Sequence, residues 1–263
     1  MPVPPAELLV SLTLNRYGGA HRWAGLRKMG SDHPHLREVP GLRAYRLLGT
    51  GRGSGFGLGA DLRRWARLSV WSSAAAFEHF EGSPWRQQER ALTCESYTLT
   101  LRPTRWHGQW RGEALFGPPA TAARGVALAK PSQVETGQAG TGQIAVLTRA
   151  AIRPARLSAF WRSVPAAQAN LQAQPGLLAS LGLGEMPLLD QATFSVWRDT
   201  ASMQAYAYQG AGHREAIARS RRDNWLSEEL FVRFAVLSSC GSWDGRDPLC
   251  PASAMPTSAP AGC

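Results

Sequence analysis

Arg67-Leu-Ser-Val-Trp71 followed by Ser-Ser-Ala-Ala-Ala-Phe77 returns later in the chain as Thr193-Phe-Ser-Val-Trp197 followed by Arg-Asp-Thr-Ala-Ser-Met203. An internal repeat of this kind constrains the fold more than composition does, because both copies must adopt the same local structure and bury their apolar faces. The flanks repeat too. Pro40-Gly41 and Pro175-Gly176 each open a strand-like run after a helical stretch. Ser96-Tyr-Thr-Leu-Thr-Leu101 and Leu230-Phe-Val-Arg-Phe-Ala-Val236 each close a unit and lead to a tryptophan, Trp110 and Trp243.

Each unit therefore reads β-α-β-β-α-β, the split ferredoxin-like order. Strands are expected at residues 8–14, 42–48, 66–71 and 96–101 in the first unit, and at 143–148, 177–183, 192–197 and 229–236 in the second. The helical patterns at 156–172 and 200–222 carry one apolar stripe, with Leu157, Phe160 and Trp161 on it. The expected fold class is α+β, two fused ferredoxin-like repeats that close a dimeric α+β barrel-like pseudo-dimer. The boundaries are 1–115 for the first repeat, 116–142 for a Gly, Pro and Ala-rich linker, 143–249 for the second repeat, and 250–263 for a disordered tail.

The formal charge is +10 over 263 residues. The arginines are scattered among aromatic residues and form no basic stripe, so nucleic acid is not the expected partner. A general attraction to anionic surfaces remains, the cytoplasmic membrane face among them, and peripheral membrane association is the expectation. No run approaches the length of a transmembrane helix and the start lacks a signal-peptide pattern, so a cytoplasmic location is expected. Cys94, Cys240, Cys250 and Cys263 show no zinc spacing and read as free thiols.

The Gly49-Thr-Gly-Arg-Gly-Ser-Gly-Phe-Gly run lacks the helix and lysine that a phosphate loop needs, and reads as a β-hairpin connection, about nine residues longer than its counterpart in the second unit. Such an insertion can line the mouth of a pocket. No Ser-His-Asp order, paired carboxylates or His-x-x-x-His helix is visible, which points to a cofactor for any difficult chemistry. After a two-residue insertion, His213 occupies the slot that Trp85 fills in the first unit. It stands near the start of a helical segment, where the helix dipole favours neutral imidazole, the form that ligates metal. A lone histidine equally serves a structural role. His21, His33 and His35 read as exposed. Phe160, Trp161, Trp197, Tyr206, Tyr208, Trp225 and Phe231 gather in the second unit and read either as plain core or as the wall of a pocket for a long apolar molecule.

Several ordered segments carry a family resemblance: Gly49-Thr-Gly-Arg-Gly-Ser-Gly-Phe56, Leu68-Ser-Val-Trp71, Glu95-Ser-Tyr-Thr98, Thr148-Arg-Ala-Ala-Ile-Arg-Pro154, Phe160-Trp-Arg-Ser-Val-Pro165, Gln191-Ala-Thr-Phe-Ser-Val-Trp197, Met203-Gln-Ala-Tyr-Ala-Tyr208 and Gly241-Ser-Trp-Asp-Gly-Arg-Asp-Pro-Leu249. Together they resemble the spheroidene monooxygenase, or acyclic carotenoid ketolase, family. The resemblance implies a haem-containing oxygenase that introduces a keto group at C-2 of spheroidene-type carotenoids, with dioxygen and electrons from a reduced ferredoxin. It also implies kinship with haem-binding α+β barrel proteins in which a helix histidine ligates iron. Carried over residue by residue, the histidine after the Ala-Tyr-Ala-Tyr segment is His213, the expected metal ligand. Arg233, Arg149 and Arg153 are either partners for the haem propionates, because guanidinium binds carboxylates bidentately, or solvated surface charges, and Phe160, Trp161, Trp197, Tyr206, Trp225 and Phe231 are the candidate substrate pocket. A haem-degrading or peroxidase-like enzyme, or a non-enzymatic carrier of haem or carotenoid, are the alternatives on the same fold.

Overall fold

A computed structural model describes residues 8–53, 59–118, 142–186, 188–209, 219–220 and 222–250. The first half runs β1 (Leu9–Arg16), α1 (Ala24–Ser31), α2 (His33–Glu38), β2 (Leu42–Gly51), β3 (Ala60–Trp71), α3 (Ala74–Glu81), α4 (Pro84–Ala91) and β4 (Glu95–Gly108). The second runs β5 (Ile144–Ile152), α5 (Leu157–Gln172), β6 (Leu177–Gly184), β7 (Asp190–Trp197), α6 (Thr200–Gln209) and β8 (Leu226–Gly241).

All eight strands join one closed barrel in the order β1-β3-β2-β6-β7-β5-β8-β4. Neighbouring strands are antiparallel throughout. Within each half the first and third strands are central and the second and fourth are outer, the ferredoxin-like order. The strands alternate as a barrel requires. Val10, Leu12 and Leu14 of β1, Leu68 and Val70 of β3, Ala145 and Leu147 of β5 and Val232, Phe234 and Val236 of β8 fill one continuous interior core. The intervening residues face outward, under the helices.

Two unequal seams join the halves. β2 and β6 pair only at Gly49↔Gly184 and Thr50↔Leu183, whereas β4 and β8 pair from Tyr97↔Gly241 to Gly108↔Leu230. Both long strands end on a glycine in the left-handed region, Gly108 at φ 88° and Gly241 at φ 95°. A Cβ on either would lie 2.0 Å from a carbonyl of the facing strand, Glu229 O and Ser96 O respectively, so only glycine fits.

A tight turn then follows in each half, bridging Trp110 to Glu113 and Trp243 to Arg246. Glu228, near the start of β8, accepts the Arg111 and Gly112 amides at 2.7 Å each. Glu95, at the start of β4, accepts the Gly245 amide at 2.7 Å and the Ser242 hydroxyl at 3.0 Å. Each half thus grips the turn that ends the other. Arg16 reinforces one grip, through Glu95 and Asp244, and Arg149 the other, through Glu228 and Asp190.

Four sequence expectations change in the structure. β4 and β8 extend well beyond residues 96–101 and 229–236, because their polar ends pair with each other across the seam. Phe116, placed at the start of the linker, is buried between Trp106 and Phe234, with ring centroids at 6.3 and 5.9 Å. Cys240 and Cys250 are free thiols, but Cys94 is disulfide-bonded. Arg149 belongs to the interior, as described below. The glycine-rich run 49–57 begins in β2 and leads toward β3, and the two strands pair antiparallel as a hairpin requires; its residues 54–57 lie outside the described residues. The linker residues 119–141 and the tail residues 251–263 lie outside the described residues. No helix among the described residues is long and apolar enough to cross a membrane.

Candidate functional site

Strand register allows the outer faces of the two halves to be compared residue by residue. Across the middle of the first sheet run Leu47, Arg67, Thr13 and Thr98, joined by the pairs Leu47↔Arg67, Thr13↔Arg67 and Thr13↔Thr98. The same row in the second sheet holds Gly182, Thr193, Thr148 and Phe231. All four residues of the first row are buried. In the second, Thr148 is exposed although it sits in the middle of a central strand, and Thr193 and Phe231 are only half-buried.

The first face is filled by charge and aromatic rings. Arg67 reaches Glu89 of α4 at 2.8 and 2.9 Å, and Arg86 reaches the same carboxylate at 2.7 Å. Burial alone would raise the Glu89 pKa, but Arg67 and Arg86 reverse that and hold it below its usual range. Trp85 covers this network. It stacks on His35 at 4.6 Å, with Arg67 and Lys28 against its ring at 5.3 and 4.5 Å. Leu9, Leu36, Leu47, Trp71 and Phe80 complete the packing.

The second face is packed mainly at one end. Val146, Leu171, Trp197 and Met203 form its cluster, with Ile144, Leu177, Tyr206 and Phe231 against it. Trp197 stacks on Tyr206 at 5.2 Å and donates its indole N–H to Ser195 Oγ at 3.0 Å. Burial pushes the Tyr206 phenol up to about 12, so it stays a neutral hydroxyl at physiological pH. Beyond this cluster the row at Thr148 carries glycine and threonine where the first half carries leucine and arginine. At this row Gly182, Thr193 and Thr148 are small and uncharged, and Thr148 is open to solvent.

The expected site residues divide between the ends of this face. Trp197 and Tyr206 stand where β5 begins. Trp161 stands where α5 begins, its indole donating to Leu188 O at 3.3 Å, with Phe160 edge-on to it at 5.6 Å. Trp225 is buried just before β8, and its carbonyl accepts the Arg153 amide at 2.9 Å. Phe231 lies on the row between the two ends. Arg233 faces outward on β8, opposite Val146. Arg149 does not join them. It neighbours Thr148, so its side chain points to the opposite face of the sheet, where it is 2% exposed and paired with Asp190 and Glu228. Its terminal nitrogens are committed to those carboxylates and cannot also hold a propionate on the outer face. His213 and the ring of Tyr208 lie outside the described residues.

In the sequence His107, like His79, has no supporting pattern around it. β4 brings it beside Phe231, and the two rings stack at 5.3 Å with 18° between their planes. Sequence reasoning missed Thr148 and Gly182. The signal was within reach, because the repeats align Arg67 with Thr193, a loss of charge and bulk at a fixed strand position.

No family model matches the chain. It is 34% identical over 244 residues to the spheroidene monooxygenase of Rhodobacter capsulatus, covering 92% of this chain and 95% of that protein. The spheroidene monooxygenase of Rubrivivax gelatinosus is 36% identical over 241 residues, covering 91% and 86%. The chain belongs to the spheroidene monooxygenase family. It is an oxygenase of that family, as the ordered segments of the sequence implied. Among solved structures, an aldoxime dehydratase shares the barrel fold with a TM-score of 0.57 and 11% identity, covering 89% of this chain and 81% of that one; at this identity the likeness speaks for the fold alone.

Proposed function

We propose that this enzyme is a haem-dependent monooxygenase that converts C-2 of an acyclic carotenoid such as spheroidene into a ketone, on the outer face of the second half. The observation that supports the site is the row of small residues Gly182, Thr193 and Thr148, with Thr148 exposed and Thr193 half-buried, at the register where the first half is filled by Leu47 and Arg67. Two halves of like topology are, on this reading, a fused pseudo-dimer in which one face is kept for stability and the other is cleared for chemistry.

The residues present fit a haem. The floor is small and uncharged, Phe231, Trp197 and Tyr206 supply apolar contact, and Arg233 stands on the same face with a guanidinium suited to a carboxylate. His213 would ligate the iron, and Arg233 with Arg153 would meet the propionates. When bound, the haem supplies the activation of dioxygen, with electrons from a reduced ferredoxin or a similar donor. The chain's own residues orient and exclude. Phe160, Trp161 and Trp225 would hold the polyene end and keep water from the reacting carbon. Each hydroxylation at C-2 uses one dioxygen and two electrons and releases one water; the second gives a geminal diol that loses water to leave the ketone.

The test is the absorption spectrum of the protein produced with ample haem supply, beside His213→Ala. A Soret band in the parent, shifted or lost in a variant of unchanged circular dichroism, together with ketone formation from spheroidene only by the parent, is the expected result. A folded parent without a Soret band would sink the haem reading. Retention of an unshifted band by the variant would move the ligand elsewhere.

A further inference from the structure

Five large apolar side chains stand strongly exposed among the described residues: Trp23, Leu26, Leu62, Met186 and Leu188. Three of them stand on neighbouring elements, at the starts of α1 and β3. Trp23 and Leu26 lie one turn apart at the start of α1, on the same side of the helix. α1 is pressed onto β3 at Gly25, where a Cβ would lie 2.1 Å from Trp65 Cδ1. Trp65 in turn donates its indole N–H to Leu62 O at 3.0 Å. Trp23, Leu26 and Leu62 are 50%, 49% and 48% exposed, so this corner presents apolar surface to solvent from two elements locked together.

Exposed cations flank the corner. Arg64, Arg67, Arg86 and Arg149 are all matched by carboxylates. Arg22, Arg27 and Arg63 are exposed and make no ion pair among the described residues. Arg22 lies over the Trp23 ring at 5.4 Å. Asp61, the acid nearest Arg63 in the chain, directs its carboxylate to Arg16 and Arg64 at 3.6 and 4.0 Å. Asp61 Oδ1 accepts the Arg63 amide at 3.0 Å, and no carboxylate pairs with the Arg22, Arg27 or Arg63 guanidinium among the described residues, so the corner is apolar with exposed positive charge. A tryptophan, two leucines and three arginines are what settles at the boundary of acyl chains and anionic headgroups.

We infer that the start of α1 together with the start of β3 is the surface by which this protein rests on an anionic bilayer. The inference stands apart from the reading of the catalytic face, since it needs neither haem nor carotenoid. It is tested by sedimenting the full chain with vesicles of phosphatidylcholine alone and with phosphatidylglycerol added, in the absence of substrate. The expected result is partition onto the anionic vesicles only. Each of Arg22→Gln, Arg27→Gln and Arg63→Gln should weaken it about fivefold at low salt. The triple variant Trp23→Ser, Leu26→Ser, Leu62→Ser should weaken it by an order of magnitude or so and leave a remnant that vanishes with salt. Equal partition of parent and triple variant, or none by the parent, would overturn the inference. So would a patch whose substitution changes the sedimentation coefficient of the free protein without touching vesicle binding, for that outcome marks a contact between copies of the chain.

Discussion

The outer faces of the two halves use one backbone plan in opposite ways. At matched register, Arg67, Leu47 and Thr13 are all buried, whereas Thr148 is exposed, Thr193 is half-buried, and glycine stands at 182 in place of leucine. The buried Arg67–Glu89–Arg86 group shows how the sealed face holds together: two guanidiniums share one carboxylate out of reach of water. A barrel with a finished interior core leaves each face free to take either course, because the strands are already stabilised from within.

The sharpest way to break the comparison is to remove the shared carboxylate. Glu89→Ala leaves the buried Arg67 without a carboxylate and Arg86 with Glu81 alone, and should cost about 3–5 kcal/mol in urea unfolding, whereas Thr193→Ala at the matched place on the other face should cost under about 1 kcal/mol. Equal costs would mean that the two faces are packed alike. Next comes filling the open face. Thr148→Phe should leave the melting temperature within a few degrees, since the side chain is exposed, and lower carotenoid oxidation by about tenfold or more by occupying the floor. Unchanged activity would place the chemistry elsewhere.

A smaller effect follows from pH. The folded-state pKa of Glu89 lies below its ordinary value, so its contribution to stability is present above the unfolded pKa, near 4.3, and is lost as pH falls through the folded value. The parent should lose stability more steeply than Glu89→Gln in that acid range, while the two run parallel above about pH 6. Circular dichroism melts across pH would register the difference.

Much of the fold was legible because the repeat carries it. The shared Ser-Val-Trp strand ends and the Pro-Gly starts fix strand identity in both halves, and the alternation along β1 and β5 fixes which side is core. What was not legible depends on partners distant in the chain. Pro103 to Gly108 do not read as strand, yet they pair along β8 because the barrel closes there. Arg149 reads like any arginine beside an apolar run; only the fold brings Asp190 and Glu228 to it. The aromatic set of the candidate site is named from the sequence alone, and Arg233 from the affinity of a guanidinium for carboxylates. The open row needed register, which turns the aligned Arg67 and Thr193 into a gap in the surface.

The crossed grip of Glu95 and Glu228 bears on how the chain is made. The Arg111 and Gly112 amides wait for Glu228, over 100 residues later, and Glu95 waits still longer for Gly245. Neither half can complete its last strand alone during synthesis, and contacts so far apart in the chain close slowly. An emerging first half therefore exposes the β4 edge until nearly the whole chain has left the ribosome, which makes it a natural client for chaperones and a poor candidate for separate expression.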